Sequence, residues 1–398
     1  MGAEPEPSII ASAGEHRPPV ILQVLPALHA GGVERGTVDI SAAIAAHGWV
    51  SLVASGGGPM VRDIVRTGGV HITMPLDTRN PLSFRHNGNA LVNLIRDRDV
   101  DLVHVRSRAP AWSAARAARI TNIPLVTTFH GTYGAGGALK RRYNSSMLKG
   151  DRVIAISQFI AGHIRATYRD FDDSKLVVIS RGVDLEAFDP NAVNGSRIIQ
   201  LAKKWRLPDG VPVIMMPARF ARWKGHAVLI EAMARMTNTD NLCLFVGRSA
   251  GHEAYRGQLE RQARALGLAS RVRFVDHESD MPAAYMLADV VVSAATEPEA
   301  FGRVAAEAQA MGRPVVATAH GGSREIVVAG ETGWLVKPGD PFAMAAAIDE
   351  AVAIDEWKRQ LLAARARRHV VQNFDLVTMG ESTLRVYQEL LARSVQRA

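Results

Sequence analysis

The stretch that decides the fold of this chain reads Glu297-Pro-Glu-Ala-Phe-Gly-Arg-Val-Ala-Ala-Glu307. It follows an apolar run, 290–293, which predicts a buried strand, and it leads into strong helix formers over 303–311. Gly312-Arg313-Pro314 ends that helix, and a second apolar run, 315–318, predicts the next strand. This strand, loop, helix and strand predict an open parallel sheet, in which ligands bind at the carboxyl ends of the strands.

Two carboxylates flank the loop-to-helix junction. Glu299 lies in the loop, where it can accept hydrogen bonds from a sugar hydroxyl, and Glu307 lies in the helix, where it can accept from a ribose diol. Gly302 places the N–H groups of the helix start beside both, and such a start attracts an anion. Two glutamates at this spacing are by themselves no more than a solvated pair. The intervening Phe301-Gly302 and the Gly-Arg-Pro-Val-Val that closes the unit favour a site.

Length and composition predict a two-domain globular protein. A chain of 398 residues is too long for one ordinary core, and no apolar run approaches the length of a membrane span. Met1–Arg17 lack a basic start and a sustained apolar core, so we interpret residues 1–17 as a disordered leader rather than a secretory signal. The single cysteine, Cys243, cannot form an internal disulfide. These features predict a cytoplasmic protein.

The net charge of +8 raises the question of an acidic partner. The basic residues are spread along the chain without a compact basic and aromatic element, which argues against nucleic acid. A phosphate-bearing substrate and peripheral contact with the anionic inner face of a membrane fit better. The densest cluster is Lys140-Arg141-Arg142-Tyr143 with Lys149 nearby, and a solvated helix face is its simpler interpretation.

The first half, 18–195, alternates strand-like and helical segments, which predicts a parallel sheet covered by helices. Gly31-Gly32 lies between its first strand and first helix and lets the backbone approach a ligand. His130 directly follows a later strand, where a ligand binds, although a structural loop histidine is the commoner case. Asp97-x-Asp99-x-Asp101 precedes a strand and therefore predicts a turn at the opposite edge, not a metal site.

The second half, 196–375, repeats this alternation. Arg219 directly follows its first strand, and Lys224 lies at the start of the next helix, which is predicted over 227–236. Arg is a planar fork and Lys a point charge, so together with a helix start they suit a diphosphate. Two ordinary surface cations are the alternative. The last segment, 376–398, is predicted to be mostly helical.

Four of these motifs resemble the signatures of the family 4 (group 1) glycosyltransferases, which are retaining enzymes of the GT-B fold. In the second half, Glu299 begins the motif E-x-F-G-x-x-x-x-E-A and Arg219 begins R-x-x-x-x-K-G. In the first half, Gly31 begins G-G-x-E-R, and His130 begins a His-Gly pair that directly follows a strand. The resemblance covers nearly all of the chain from Val20 and is most specific in the second half. It implies an α/β fold of GT-B architecture, with two Rossmann-like parallel-sheet domains facing a central cleft.

The resemblance also implies different roles for the two domains. The domain over 18–195 would take the acceptor, the domain over 196–375 would bind the donor, and the helix over 376–398 would pack back on the first domain. The family usually carries Asn where this chain has Arg181, which puts the role of that position in doubt.

The implied activity is metal-independent transfer of a sugar, with retention, from a nucleotide-diphosphate sugar to a glycan or lipid-linked acceptor in cell-envelope polysaccharide or lipopolysaccharide synthesis. The donor would be a co-substrate, and no cofactor or metal is expected. A non-catalytic nucleotide-sugar-binding protein of the same fold stays open. An oxidoreductase would need a dinucleotide fingerprint, which is absent. The predicted catalytic residues are Glu299, His130, Arg219 and Lys224, and the predicted donor-binding residues are Gly31, Gly32, Arg219, Lys224, Glu299, Phe301, Gly302 and Glu307.

Overall fold

The computed structural model describes residues 17–29, 31–78, 80–133 and 137–395. The predicted leader, 1–17, lies outside the described residues except for Arg17, whose Nη1 lies 2.8 Å from Asp101 Oδ2. Asp101 also accepts a hydrogen bond from the backbone N–H of Val20 at 2.7 Å. This carboxylate therefore holds the amino-terminal edge of the first sheet, as expected for a turn residue.

A seven-stranded parallel sheet forms the first half, in the order β3-β2-β1-β4-β5-β6-β7. The order reverses direction between β1 and β4, and ligands bind at the carboxyl ends of the strands beside such a switch. The loop of Gly31-Gly32 therefore lies at the switch point. The strands are β1 (Val20–Val24), β2 (Val50–Ser55), β3 (Val70–Thr73), β4 (Leu102–Val105), β5 (Leu125–Phe129), β6 (Arg152–Ala155) and β7 (Leu176–Val178), and the helices are α1 (Gly32–Ala46), α2 (Val61–Arg66), α3 (Pro81–Asp97), α4 (Arg108–Thr121), α5 (Ala138–Asn144) and α6 (Gln158–Thr167).

A six-stranded parallel sheet forms the second half, in the order β10-β9-β8-β11-β12-β13. Its direction reverses between β8 and β11, so the loops after these two strands meet at the second switch point. The strands are β8 (Val213–Pro217), β9 (Leu242–Val246), β10 (Val272–Val275), β11 (Val290–Ser293), β12 (Val315–Thr318) and β13 (Trp334–Val336), and the helices are α7 (Gly195–Lys204), α8 (His226–Met233), α9 (Glu253–Ala265), α10 (Met281–Met286), α11 (Arg303–Ala310), α12 (Ser323–Ile326), α13 (Pro341–Ala353), α14 (Glu356–Asn373) and α15 (Leu376–Val395).

These two sheets confirm the predicted α/β class with two parallel-sheet domains. Every residue of β1, β8 and β11 is buried, which explains why these strands read as continuous apolar runs rather than alternating ones.

The third helix is longer than its sequence pattern predicts. Apolar periodicity indicates a helix only over 91–98, whereas α3 begins at Pro81. Its first half is mostly polar and gives no apolar stripe. Tertiary contact with α4 supports it instead, because the Ser113 hydroxyl donates to the Phe84 carbonyl oxygen at 3.0 Å.

The carboxyl-terminal helix α15 returns to the first half, where it packs against α1. The chain crosses over where the backbone N–H of Val183 donates to the Phe374 carbonyl at 2.8 Å. Tyr387 on α15 then reaches the buried His104 of β4, with its hydroxyl 2.5 Å from Nδ1, while Nε2 of that ring lies 2.7 Å from the Thr128 hydroxyl. The last three residues of the predicted helix, 396–398, lie outside the described chain.

We predict that Tyr387→Phe destabilises the protein by about 1–3 kcal/mol, because it leaves the buried Nδ1 of His104 without a partner. The matched control is Tyr168→Phe, since the Tyr168 hydroxyl is buried without a hydrogen-bond partner among the described residues. The measurement is the free energy of unfolding in urea. Equal losses for both variants would contradict the prediction.

Candidate active site

The loops after β8 and β11 are held together by backbone contact. Gly225 has a φ of 81°, and a Cβ there would overlap the carbonyl oxygen of Ala294, so only glycine fits. The backbone N–H of Thr296 donates to the Trp223 carbonyl at 2.7 Å. This close approach determines which side chains of the two loops can meet.

The predicted residues Lys224 and Glu299 are brought together by these loops. Nζ of Lys224 lies 2.7 Å from Oε1 of Glu299, and the two side chains are only 16% and 13% exposed. Since an ammonium has three donors, two remain for another acceptor. The pair is therefore a partly buried charged centre with unused hydrogen-bonding capacity.

Two cations share the ring of Trp223. Nζ of Lys224 lies 4.3 Å from the ring centroid and the guanidinium carbon of Arg219 lies 5.9 Å from it. Arg219 is exposed at the carboxyl end of β8, so its fork is free to contact a ligand. The structure thus places both predicted cations on one loop beside Glu299.

The loop that carries Glu299 is rigidly supported. Gly321 and Gly322 have no room for a Cβ, which would overlap the carbonyl oxygens of Glu299 and Phe301, respectively. The Gly322 N–H donates to the Glu299 carbonyl at 2.8 Å. Gly302, at a φ of 102°, is the N-cap of α11 and no side chain caps this helix, so its first N–H groups are available to an anion.

Phe301 contributes backbone rather than side chain. Its ring is 5% exposed and packs edge-on against Phe374 with centroids 5.6 Å apart. Only its backbone groups can therefore line the site.

Glu307 is buried and already bonded within the protein. Its Oε2 accepts from the Tyr285 hydroxyl at 2.9 Å, and its Oε1 lies 2.8 Å from Nε of Arg303. Burial together with the Glu307 charge raises the pKa of Tyr285 well above its ordinary value, so this hydroxyl stays protonated and donates. A carboxylate retains further lone pairs, and the ribose contact of Glu307 stays a prediction.

In the first half, Gly31 is the N-cap of α1 and no side chain caps that helix. The carboxylate of Glu34 lies near Gly31, with its Cδ 3.2 Å from where a Cβ would stand. The start of α1 therefore lies at the carboxyl edge of the first sheet, where ligands bind, and the Glu34 carboxylate of the same helix lies close to it.

His130 lies at the carboxyl end of β5, and both of its ring nitrogens are buried without a hydrogen-bond partner among the described residues. Burial lowers its pKa well below the ordinary value, and the charges of Arg106 and Arg181 lower it further. A histidine that handles protons needs a pKa near neutrality, and burial moves the pKa of this one away from that range. A ring that is neutral at pH 7 can donate one hydrogen bond and accept another, but it has no extra proton to give to a substrate.

Two groups that the sequence did not single out join the halves beside the site. The Glu325 carboxylate accepts from the backbone N–H groups of Gln158 and Phe159, at 2.9 and 2.7 Å, and so caps α6 from the other half. Ser157 also caps α6, with its Oγ 3.1 Å from Ile160 N, and its hydroxyl donates to the Ala300 carbonyl at 2.6 Å. No local pattern marks the contact of Glu325, because its partner is 166 residues away.

Arg106 and Arg181 are two further residues at this edge whose burial the sequence does not reveal. They are 4% and 8% exposed, and burial lowers the pKa of each to about 10. The one available signal is that each lies just beyond the end of a strand. Among the residues that the structure describes, no three His, Cys, Asp or Glu side chains are placed to share a metal ion.

We predict that the ring of His130 shows no titration between about pH 6 and pH 8, because burial keeps it neutral throughout that range. The measurement is an NMR titration of the histidine ring protons, with His130→Asn to assign the resonance. Solvent-exposed histidines in the same spectra are the internal control. An inflection near pH 6.5 in the assigned resonance would contradict the buried, unpaired ring.

Family models match both halves of the chain. Residues 198–369 match "Glycosyl transferases group 1", and residues 30–187 match "Glycosyltransferase Family 4". The D-inositol 3-phosphate glycosyltransferase of Salinispora tropica is 35% identical over 61% of this chain, and that of Xylanimonas cellulosilytica is 32% identical over 67%. The matched regions span 52% and 67% of those two proteins.

Solved structures match almost the whole chain. A glycosyltransferase from Rickettsia africae ESF-5 superposes with a TM-score of 0.89 at 37% identity, covering 94% of this chain and 99% of its own. HepE of Anabaena, in complex with UDP and glucose, superposes with a TM-score of 0.80 at 25% identity, covering 92% of this chain and 99% of its own. With both halves matched, the chain belongs to the group 1 glycosyltransferases of family 4 and has their GT-B fold.

Proposed function

We propose that the chain transfers a sugar, with retention and without a metal, from a nucleotide-diphosphate sugar to a glycan or lipid-linked acceptor in cell-envelope polysaccharide or lipopolysaccharide synthesis. The observation that carries the proposal is the Lys224–Glu299 pair at 2.7 Å, set beside the uncapped start of α11. The complex of HepE with UDP and glucose supports this class of donor.

The proposed chemistry needs positive potential where the diphosphate leaves. Arg219, Lys224 and the first N–H groups of α11 would supply it, in a site from which bulk water is partly excluded. Glu299 and the Phe301-Gly302 backbone would hold the sugar hydroxyls. Because Lys224 already contacts Glu299, the ammonium can bridge the sugar-binding carboxylate and the phosphates.

The proposed transfer breaks the bond between the anomeric carbon and the phosphate oxygen. The acceptor hydroxyl oxygen forms the new bond on the same face, and its proton passes to the leaving phosphate. Neutral His130 and the Gly31-Gly32 loop would contact the sugar from the first half by hydrogen bonds, since the histidine is unprotonated at neutral pH. No covalent intermediate on the protein is required.

We predict that Lys224→Ala and Glu299→Ala each lower transfer by about 10²–10³-fold, the loss expected for one transition-state contact. A thermal-shift panel of UDP-, GDP- and ADP-sugars selects the donor, because a bound donor stabilises the folded state. Transfer and donor hydrolysis are then measured by nucleotide release.

The control for these variants is Glu297→Ala, which changes an exposed carboxylate on the same loop. It should transfer sugar like the unchanged protein. Full transfer by both site variants would remove the assignment of these residues. A protein that is stabilised by a donor yet neither hydrolyses nor transfers it would instead be the non-catalytic nucleotide-sugar binder.

We also propose a peripheral contact with an anionic membrane at the cytoplasmic face, made by α5 and the residues that follow it. Lys140, Arg141 and Arg142 are exposed there, and the exposed Lys149 lies 3.9 Å from the ring centroid of Trp112. Each basic residue near an anionic surface contributes about 1 kcal/mol of attraction. None of the described helices is both long and apolar enough to span a bilayer.

We predict that the protein sediments with vesicles rich in anionic lipid but not with neutral vesicles, and that salt weakens the binding. The double variant Arg141→Ala with Arg142→Ala should bind several-fold less. The double variant Arg365→Ala with Arg368→Ala removes the same charge from exposed positions on α14 and should bind normally. Equal binding by the two double variants would show that α5 is not the contact surface.

A further inference from the structure

Two buried guanidinium groups at the carboxyl edge of the first sheet make no hydrogen bond or ion pair with the residues that the structure describes. Arg106 directly follows β4 and is 4% exposed, and Arg181 lies three residues beyond β7 and is 8% exposed. Within the described part of the chain, neither side chain forms a hydrogen bond or an ion pair, and Nε of Arg106 is fully buried without one. Burying a charge without a hydrogen-bonded counter-charge costs free energy, so a bound anion would stabilise this pair.

The two groups converge on the first turns of α1. A Cβ on Gly36 would overlap Nη2 of Arg181 and would lie 3.0 Å from Nη2 of Arg106. Nη1 of Arg181 lies 3.2 Å from the Cβ position of Gly32. Two glycines one turn apart therefore make room for the guanidinium groups and bring one of them to the helix start.

The helix start adds donors to this cationic pair. The N-cap Gly31 offers no side chain, so the first N–H groups of the 15-residue helix α1 are open to a ligand. The charges of both arginines lower the pKa of His130, and its two ring nitrogens are buried without a hydrogen-bond partner among the described residues. Three kinds of donor thus meet at the switch point between β1 and β4.

Two nearby carboxylates attract the pair without forming an ion pair with it. The charge of Asp39 acts on both guanidinium groups and that of Glu34 acts on Arg181, but Asp39 is shared with a third arginine, so an excess of positive charge remains. Asp39 contacts Arg35, with its Oδ1 3.0 Å from Nε, and Glu307 contacts Arg303 across the cleft. Glu34 lies over Gly31 and forms no ion pair among the described residues. Its flexible side chain sits where an external anion would sit, so it must swing aside when one binds.

We propose that Arg181, backed by Arg106 and by the start of α1, binds a phosphate group carried by the acceptor. The inference rests on the proposed function, and it names the acceptor class as phosphorylated. A tetrahedral oxyanion suits both a planar guanidinium fork and a helix start. The site belongs to the first half, whereas Arg219 and Lys224, the cations proposed for the donor diphosphate, belong to the second.

The side chain at position 181 decides whether this subsite carries the positive charge that an anion needs. The family resemblance leads to an expectation of Asn at this position, and an amide carries no charge with which to hold a phosphate. A change from Asn to Arg here therefore alters what the first half can bind without altering the donor motifs. Arg181 is the specificity-determining residue in this proposal.

The test measures how much inorganic phosphate raises the melting temperature, at constant ionic strength and with the donor site filled by the nucleoside diphosphate found to bind. Phosphate should stabilise the unchanged protein. The stabilisation should fall several-fold in Arg181→Asn, which restores the residue usual in the family, and partly in Arg181→Lys, which keeps the charge but loses the fork. Arg165→Ala removes a half-exposed arginine of α6 and should respond normally.

Equal phosphate stabilisation of the unchanged protein and Arg181→Asn would overturn the inference. The affinity for the nucleoside diphosphate distinguishes an acceptor phosphate from a donor phosphate. Arg181→Asn should bind the nucleotide as the unchanged protein does, and a tenfold loss there would place the group in the donor site and refute the acceptor assignment. Absence of nucleotide binding in the unchanged protein would defeat the proposed function, while the phosphate response would still report on the anion subsite.

Discussion

The contact between the loops after β8 and β11 determines the rest of the site. Because Gly225 lies against the Ala294 carbonyl, the two loops approach more closely than any side chain would allow. Lys224 therefore contacts Glu299, and the uncapped start of α11 lies beside them. A parallel sheet makes this possible, since strands that meet at a switch point release their loops at one edge.

The same edge carries the links between the two halves. Glu325 caps α6 and Ser157 reaches the Ala300 carbonyl, which lies beside Glu299. Each capping interaction is worth about 1 kcal/mol. A small number of such contacts orients the halves while still permitting the domain closure expected of a two-domain transferase. The chain also crosses back to the first half before α15, which packs against α1, and so links the two halves covalently a second time.

Positive charge is distributed in two groups with different surroundings. Arg219 and Lys224 share the ring of Trp223, Lys224 also pairs with Glu299, and Arg219 is exposed. Arg106 and Arg181 are buried beneath α1 without partners among the described residues, which lowers the pKa of each to about 10. The geometry of Arg219 and Lys224 suits a multiply charged ligand. The charges of Arg106 and Arg181 would be stabilised by a bound anion.

The sequence by itself determined the two parallel sheets, the edge at which ligands bind, and the loop positions of Lys224 and Glu299, because buried parallel strands are continuous apolar runs and each loop follows its strand directly. Only the tertiary structure decided the pairing of Glu307 with Tyr285 and Arg303, and the neutrality of His130. It likewise decided that Arg181 meets Arg106 beneath Gly36. Burial and pairing depend on groups far apart in the chain, which leave no local pattern in the sequence.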